Sequence, residues 1–217
     1  MMRGKITIFI YIFISAFCLF ILFSTGESAG VPKAEIKSTI DAIIEVLKDK
    51  NLSLSASKEE RRSKIRTLIS GRFDFEEMSK RILARRWKKR TDEEKKEFVS
   101  IFSKLLEASY IGKFEAYTDE KVIYGKEVIR GGGKYGAVST TIATKKVDIP
   151  IDYKVILKDS KWWIYDIVIE GVSFISTYRS QYNEVIVKKS FAELIQQMKN
   201  KLNEVNALMD KKPVAEK

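Results

Sequence analysis

Asp166 lies inside an otherwise apolar and aromatic run, Trp162-Trp163-Ile164-Tyr165-Asp166-Ile167-Val168. A carboxylate enclosed by such neighbours would titrate upward and could take a proton as a general base. The structural alternative is that Asp166 points to the other face, or accepts backbone hydrogen bonds near the strand end. No second acid–base partner accompanies it, and Asp152 is the only other carboxylate that an enzymatic reading would use. The 217 residues contain no histidine and a single cysteine, Cys18, within an apolar N-terminal run. That combination excludes a catalytic histidine, a disulfide and a zinc site of the usual Cys/His kind. The sequence therefore assigns no catalytic residue, no metal ligand and no cofactor.

Two further motifs carry charge. Gly131-Gly132-Gly133 precedes Lys134, but it lacks the spacing of a phosphate-cradling loop and opens no helix, so it reads as a turn. Arg81, Arg85, Arg86, Lys88, Lys89 and Arg90 surround Trp87. Arginines beside an aromatic can hold nucleic acid. Helix ends also attract basic residues for electrostatic reasons alone. With the export signal described next, Arg85, Arg86, Lys88 and Lys89 read as a docking surface for an acidic protein or anionic lipid, and not for nucleic acid.

The chain opens as an export signal. Arg3 and Lys5 precede the apolar run Ile6 to Phe23, and small residues follow at Ser24-Thr25-Gly26 and Ser28-Ala29-Gly30. Residues 1–26 are expected to be a signal peptide, with an uncleaved anchor as the alternative. Of the 40 basic residues, removal takes Arg3 and Lys5, leaving 38 against 29 acidic ones, or +9. A basic exported protein meets anionic headgroups, each nearby cation contributing on the order of 1 kcal/mol. Localisation in the periplasm is the expectation.

The elements that must position these residues fall into two patterns. Residues 31–117 read as helical, 121–169 as sheet, 173–209 as returning helices, and 210–217 as a disordered tail. Ile36, Ile40, Ile43, Ile44 and Leu47 recur at helical spacing after Pro32. Ser57 with Glu60, Asp74 with Glu77, Thr91 with Glu94, and Ser190 with Glu193 have the spacing of helix N-terminal caps. The helix after Thr91 carries the broad stripe Phe98, Ile101, Phe102, Leu105, Leu106 and Tyr110, which needs a large partner, expected to be the sheet. Ile149, Ile151, Tyr153, Val155 and Leu157 alternate with Pro150, Asp152, Lys154, Ile156 and Lys158, a strand buried on one side. Asp159-Ser160 then offers a tight turn, and Gly171 with Ser173 a turn into a capped helix. Helices on one face of a curved antiparallel sheet of about four strands make an α+β fold.

Taken in order, these segments resemble the MlaC, or toluene-tolerance, family of periplasmic phospholipid-binding proteins. The resemblance runs from Phe73-Asp74-Phe75-Glu76-Glu77-Met78 through Trp87 and the Phe98, Phe102, Leu106, Tyr110 series. It continues with Ile151-Asp152-Tyr153, Trp163-Ile164-Tyr165-Asp166-Ile167, Glu170-Gly171-Val172-Ser173 and Tyr178-Arg179-Ser180-Gln181-Tyr182. It implies an NTF2-like sheet with N-terminal and C-terminal helices around an apolar cavity. It implies a carrier, not an enzyme, whose cargo is phospholipid and whose partners are an inner-membrane ABC transporter complex and an outer-membrane lipoprotein complex. A hopanoid-associated branch shares the domain, and an envelope adaptor with a filled core is the non-binding alternative. Nothing demands more than a monomer.

Such a carrier needs apolar walls. The candidates are Phe102, Leu106 and Tyr110 on the long helix, with Val138, Ile142, Tyr153, Val155 and Ile167 opposite on the sheet. Val172, Ile175 and Tyr178 would close one side. Ordinary core packing is the competing reading for each of them.

Overall fold

The computed structural model describes residues 31–52, 54–115, 117 and 120–211, so residues 1–26, expected to be a signal peptide, lie outside the described residues. Pro32 fixes the first turn of α1 (Pro32–Lys48), which is followed by α2 (Lys58–Ser70) and α3 (Phe75–Leu83). A 3-10 turn, Ala84–Lys89, leads into the long α4 (Asp92–Glu115). Strands β1 (Lys121–Arg130), β2 (Tyr135–Ala143), β3 (Asp148–Lys158), β4 (Lys161–Ile169) and β5 (Val172–Ser173) come next. Helices α5 (Phe174–Lys188) and α6 (Phe191–Lys211) close the described chain, so helix extends past residue 209, and residues 212–217 lie outside the description. The result is a mixed fold, with six α-helices among the described residues and a curved, unclosed antiparallel sheet in the order β1-β2-β3-β4-β5.

Capping side chains set most helix starts. Thr91 and Glu94 form a reciprocal box, the Glu94 amide donating to Thr91 Oγ1 at 3.2 Å and the Thr91 amide to Glu94 Oε2 at 2.9 Å. Asp74 accepts from the Glu77 amide at 2.8 Å, and Ser190 from the Glu193 amide at 3.0 Å. Ser57 makes no such bond, because a 3-10 turn, Ser55–Ser57, already delivers the chain into α2. Ser173 caps α5, as its spacing suggested, accepting from the Ser176 amide at 3.1 Å.

Turn chemistry sets the register of the sheet. Asp159 (φ 49°) and Ser160 (φ 59°) are both left-handed, the pairing that a two-residue hairpin between twisted strands requires. Glu170 (φ 49°) and Gly171 (φ 80°) repeat the device, and the two residues beyond them pair back onto β4 as β5. The sheet therefore has five strands where about four were expected, since a two-residue strand leaves no alternation to read. Bulges in β1 at Gly125–Lys126 and in β4 at Tyr165 keep the inner positions in phase on both sides of each break.

The long helix is where sequence and structure part. The stripe on α4 is covered mainly by α6 and α3, not by the sheet. Phe98 stacks on Phe102 and Phe191, and meets Tyr182 edge-on at 5.9 Å. Together with Met78, Ile82, Ile175, Leu194 and Met198 these side chains form a helical core. The inner face of the sheet is covered instead by α1, whose Ile36 and Ile40 pack on Val138, Val155, Trp162 and Ile164. Phe73 touches both cores. It reaches the sheet because the α2–α3 linker pairs with β4, the Asp74 amide donating to the Ile164 carbonyl and the Ile164 amide to the Arg72 carbonyl, both at 2.9 Å.

Candidate functional site

The register places one row of residues on the inner face. Ile142 lies opposite Ile149, Thr140 opposite Ile151, and Val138 opposite Tyr153. Across the next pair, Ile151 lies opposite Ile169 and Tyr153 opposite Ile167. Residues paired in an antiparallel ladder share a face, so these form one continuous aliphatic surface with Tyr153 near its centre. Val138 and Val155, at the end covered by α1, are fully buried, whereas Ile142, Ile149, Ile167 and Ile169 at the other end are only half-buried. Apolar side chains on the inner face that keep accessible surface are available to cover an apolar ligand.

Tyr153 fits that description. Burial pushes its hydroxyl above the ordinary tyrosine range, against a hydrogen bond from Thr140, yet the ring is only half-buried by accessible surface. Ile43 of α1, Leu52 of the following loop, Ile65 of α2, and Ala108 and Ile111 of α4 are also buried, but belong to neither packed core. An ion pair between Arg66 and Glu107 ties α2 to α4, and α2 in turn packs on α1.

Polar contacts fasten α1 over the other end of that face. Arg72 pairs with Glu35 and donates to Thr39 Oγ1 at 3.0 Å and to the Trp162 carbonyl at 2.8 Å. The Tyr124 hydroxyl donates to Asp41 at 2.7 Å, and the Lys33 amide donates to Glu127 at 3.0 Å. Burial and the Asp41 carboxylate both push the Tyr124 hydroxyl far upward.

The expected wall residues divide between the two cores. Val138, Tyr153, Val155 and Ile167 share the sheet core with α1, and Ile142 continues their face. Phe102, Leu106, Tyr110, Ile175 and Tyr178 belong to the helical core, where Phe102 meets Tyr178 edge-on at 5.4 Å. They do not stand opposite Val138 and Ile142, because α4 is covered by α6. The Tyr178 hydroxyl donates to that of Tyr110, and burial pushes Tyr178 up to about 12. Val172 is 61% exposed, at the rim of a groove of ≈ 240 Å³ that also touches Tyr110 and Tyr178. The buried Leu52, Ile65, Ala108 and Ile111 were not among the expected apolar residues. Ala108 and Ile111 extend the i, i+3 series from Leu105, a signal that was present; Leu52 sits in an irregular segment and gave none.

Asp166 takes a structural position. Its carboxylate, 2% exposed, accepts from the Ile175 amide at 3.0 Å, from Ser173 Oγ at 2.7 Å and from Lys154 Nζ at 3.0 Å. It thereby anchors the start of α5. No group of His, Cys, Asp or Glu able to hold a metal occurs among the described residues.

The basic residues lie away from the inner face. Arg85, Lys88 and Lys89 are exposed on the Ala84–Lys89 turn, and Trp87 packs inward against the helical core. Arg86 donates two hydrogen bonds to Asn183 Oδ1, at 3.1 and 3.0 Å. Between this turn and α5 runs an open groove of ≈ 430 Å³.

The chain matches one family model, described as MlaC protein, over residues 37–200. The chain belongs to the MlaC family. No curated protein matches it. Among solved structures, the fold is similar to that of a phospholipid-binding protein from Ralstonia solanacearum, determined in complex with a phospholipid. The TM-score is 0.73 at 22% sequence identity, over 81% of this chain and 98% of that one. At that identity the likeness establishes a shared fold.

Proposed function

We propose that this MlaC-family chain is an exported phospholipid carrier that shields acyl chains against the inner face of its sheet and moves the lipid between membranes. The observation that carries this reading is the half-buried aliphatic surface of Ile142, Ile149, Ile167 and Ile169 around Tyr153. The phospholipid bound by the Ralstonia protein of the same fold supports it. Two acyl chains of about sixteen carbons hide some thirty methylenes from water, at ~0.8 kcal/mol each. A bilayer already hides those groups, so transfer between bilayer and protein is nearly balanced and a carrier can both load and release. Such a task needs apolar walls and no reacting group, which agrees with a binding protein over an enzyme.

The apolar run Ile6 to Phe23 supports export to the periplasm, where the lipid would pass between an inner-membrane ABC transporter complex and an outer-membrane lipoprotein complex. Arg85, Arg86, Lys88 and Lys89 are the docking residues in this reading.

Mass spectrometry of an organic extract from the exported, purified protein tests the binding. Phospholipid near one molecule per chain is the expected result. Protein that emerges lipid-free and takes no labelled phospholipid from vesicles would overturn the reading in favour of an envelope adaptor, and a polycyclic lipid in the extract would move the cargo to the hopanoid class.

A further inference from the structure

We infer that the groove between the Ala84–Lys89 turn and α5 receives an acidic helical segment of a partner protein, bearing carboxylates about one helical turn apart. This deepens the docking part of the function proposed above and is independent of what occupies the inner sheet face. The groove, ≈ 430 Å³, has an aliphatic floor of Ile82, Leu83 and Ile186. Three guanidinium groups, those of Arg85, Arg86 and Arg179, line it, and no carboxylate does. Two of the three are already oriented. Arg86 is held by Asn183 Oδ1, and Arg179 donates from Nε to the Arg81 carbonyl at 2.9 Å, which leaves the outer nitrogens of Arg179 turned away from that bond. Among the described residues none of these three arginines pairs with a carboxylate. Cations close by in the chain do so, as in Arg81 with Glu77, Arg90 with Glu94 and Lys188 with Glu184.

Shape selects the occupant. The α5 wall runs from Ser176 to Ile186, which at 1.5 Å per residue is ~15 Å, the length of nearly three helical turns. An acyl chain of that length would strip water from Ser176, Ser180 and Asn183 along the wall, at the cost of unmet polar groups. A peptide supplies partners to those groups and aliphatic side chains to the floor. Arg179 and the Arg86–Asn183 pair sit one turn apart on α5, ~6 Å, the spacing of carboxylates at i and i+4 on a docked helix. Ala84, at the lip of the groove, has φ 48° and ψ −125°, a conformation that a residue with a Cβ adopts only when its surroundings impose it. The surrounding contacts, among them the Arg179 bond to the Arg81 carbonyl and the Arg86 bonds to Asn183, hold this strained turn beside α5.

The test uses the purified protein with its bound lipid and two fluorescein-labelled synthetic helical peptides. One carries Glu at i and i+4 between leucines, and the other has Gln in place of Glu. Fluorescence anisotropy is expected to show binding of the Glu peptide, weakened about tenfold or more by Arg86→Glu with Arg179→Glu and by the Gln peptide. Ser180→Trp, which fills the groove without altering charge, should weaken binding similarly. Lys145→Glu with Lys146→Glu, the same change of charge in the β2–β3 turn, should move it by no more than about twofold. Equal loss in both charge-reversed proteins, or equal binding of the two peptides, would overturn the proposal. So would a surface that ignores the Glu peptide but loses binding to phosphatidylglycerol vesicles on charge reversal, since that is a membrane contact. Phospholipid content and thermal unfolding, measured on each variant, separate this proposal from the carrier reading. Lost peptide binding with lipid and fold retained supports the groove, and a lipid-free wild type that still binds the Glu peptide would count against the carrier alone.

Discussion

Replacing Asp166 by alanine removes three hydrogen bonds at once, and the structure allows the consequence to be worked out. The Ile175 amide, buried at the start of α5, is left without its acceptor, which costs ~1–3 kcal/mol. The first turn of α5 also loses a nearby negative charge, ~0.3–1 kcal/mol. Lys154 loses its partner, but its side chain is 42% exposed and water takes over, so that term adds little. The sum is ~1.3–4 kcal/mol, which for a chain of this size lowers the midpoint by roughly 3–16 °C. Asp166→Asn retains an acceptor for the Ile175 amide and costs less, about 1–2 kcal/mol. Urea unfolding followed by circular dichroism gives both values, and mass spectrometry of the same samples gives bound lipid. Both variants should keep their phospholipid under native conditions. A loss below about 0.5 kcal/mol in the alanine variant would refute the anchoring role, and loss of lipid from a fully folded Asp166→Asn protein would make Asp166 part of the ligand site.

Other outcomes follow from the same structure. Gly136→Ala should destabilise by ~1–3 kcal/mol, since its Cβ would meet Val155 Cγ2 at 3.1 Å and the Val128 carbonyl at 3.2 Å; a melting temperature within experimental error of wild type would contradict this packing. Stability should fall as pH rises above about 10, because burial raises the folded-state values of Tyr153, Tyr178 and Tyr182 above the unfolded value near 10. The folded protein then holds protons that the unfolded chain has released, and the stabilisation is lost towards about pH 12, where Tyr178 ionises. Alkaline denaturation curves check this, with Tyr178→Phe shallower than wild type; an unchanged slope would place that proton release elsewhere.

Much of the fold was legible because local chemistry decides it. The Thr91–Glu94 box, the Asp74 and Ser190 caps and the Asp159-Ser160 turn are each specified within four residues, and each formed where its spacing placed it. The partner of a face is not local. The stripe on α4 says that a wide surface must be covered, but Leu194 and Met198 of α6 can cover it as well as a sheet can, and periodicity alone does not choose. The same ambiguity split the expected wall, leaving Phe102 and Leu106 in the helical core and Val138 and Val155 under α1. Asp166 shows the point at a single residue. Its burial among aromatics was readable, but the amide that it holds belongs to Ile175, across a two-residue strand too short to carry a pattern. Arg85 and Arg86 were visible as charge, whereas Arg179, about ninety residues later, joins them only through the packing of α3 on α5.

The central claim is that acyl chains lie against the inner face of the sheet. A phospholipid carrying a photoreactive group near the end of one acyl chain, loaded into the protein, irradiated and mapped by peptide mass spectrometry, tests it most directly. Crosslinks are expected on β3 and β4, at Ile151, Tyr153 and Ile167, and on α1, which packs on that face, near Ile40. Labelling confined to the groove beside α5, at Ser176, Ser180 or Ile186, would contradict the account.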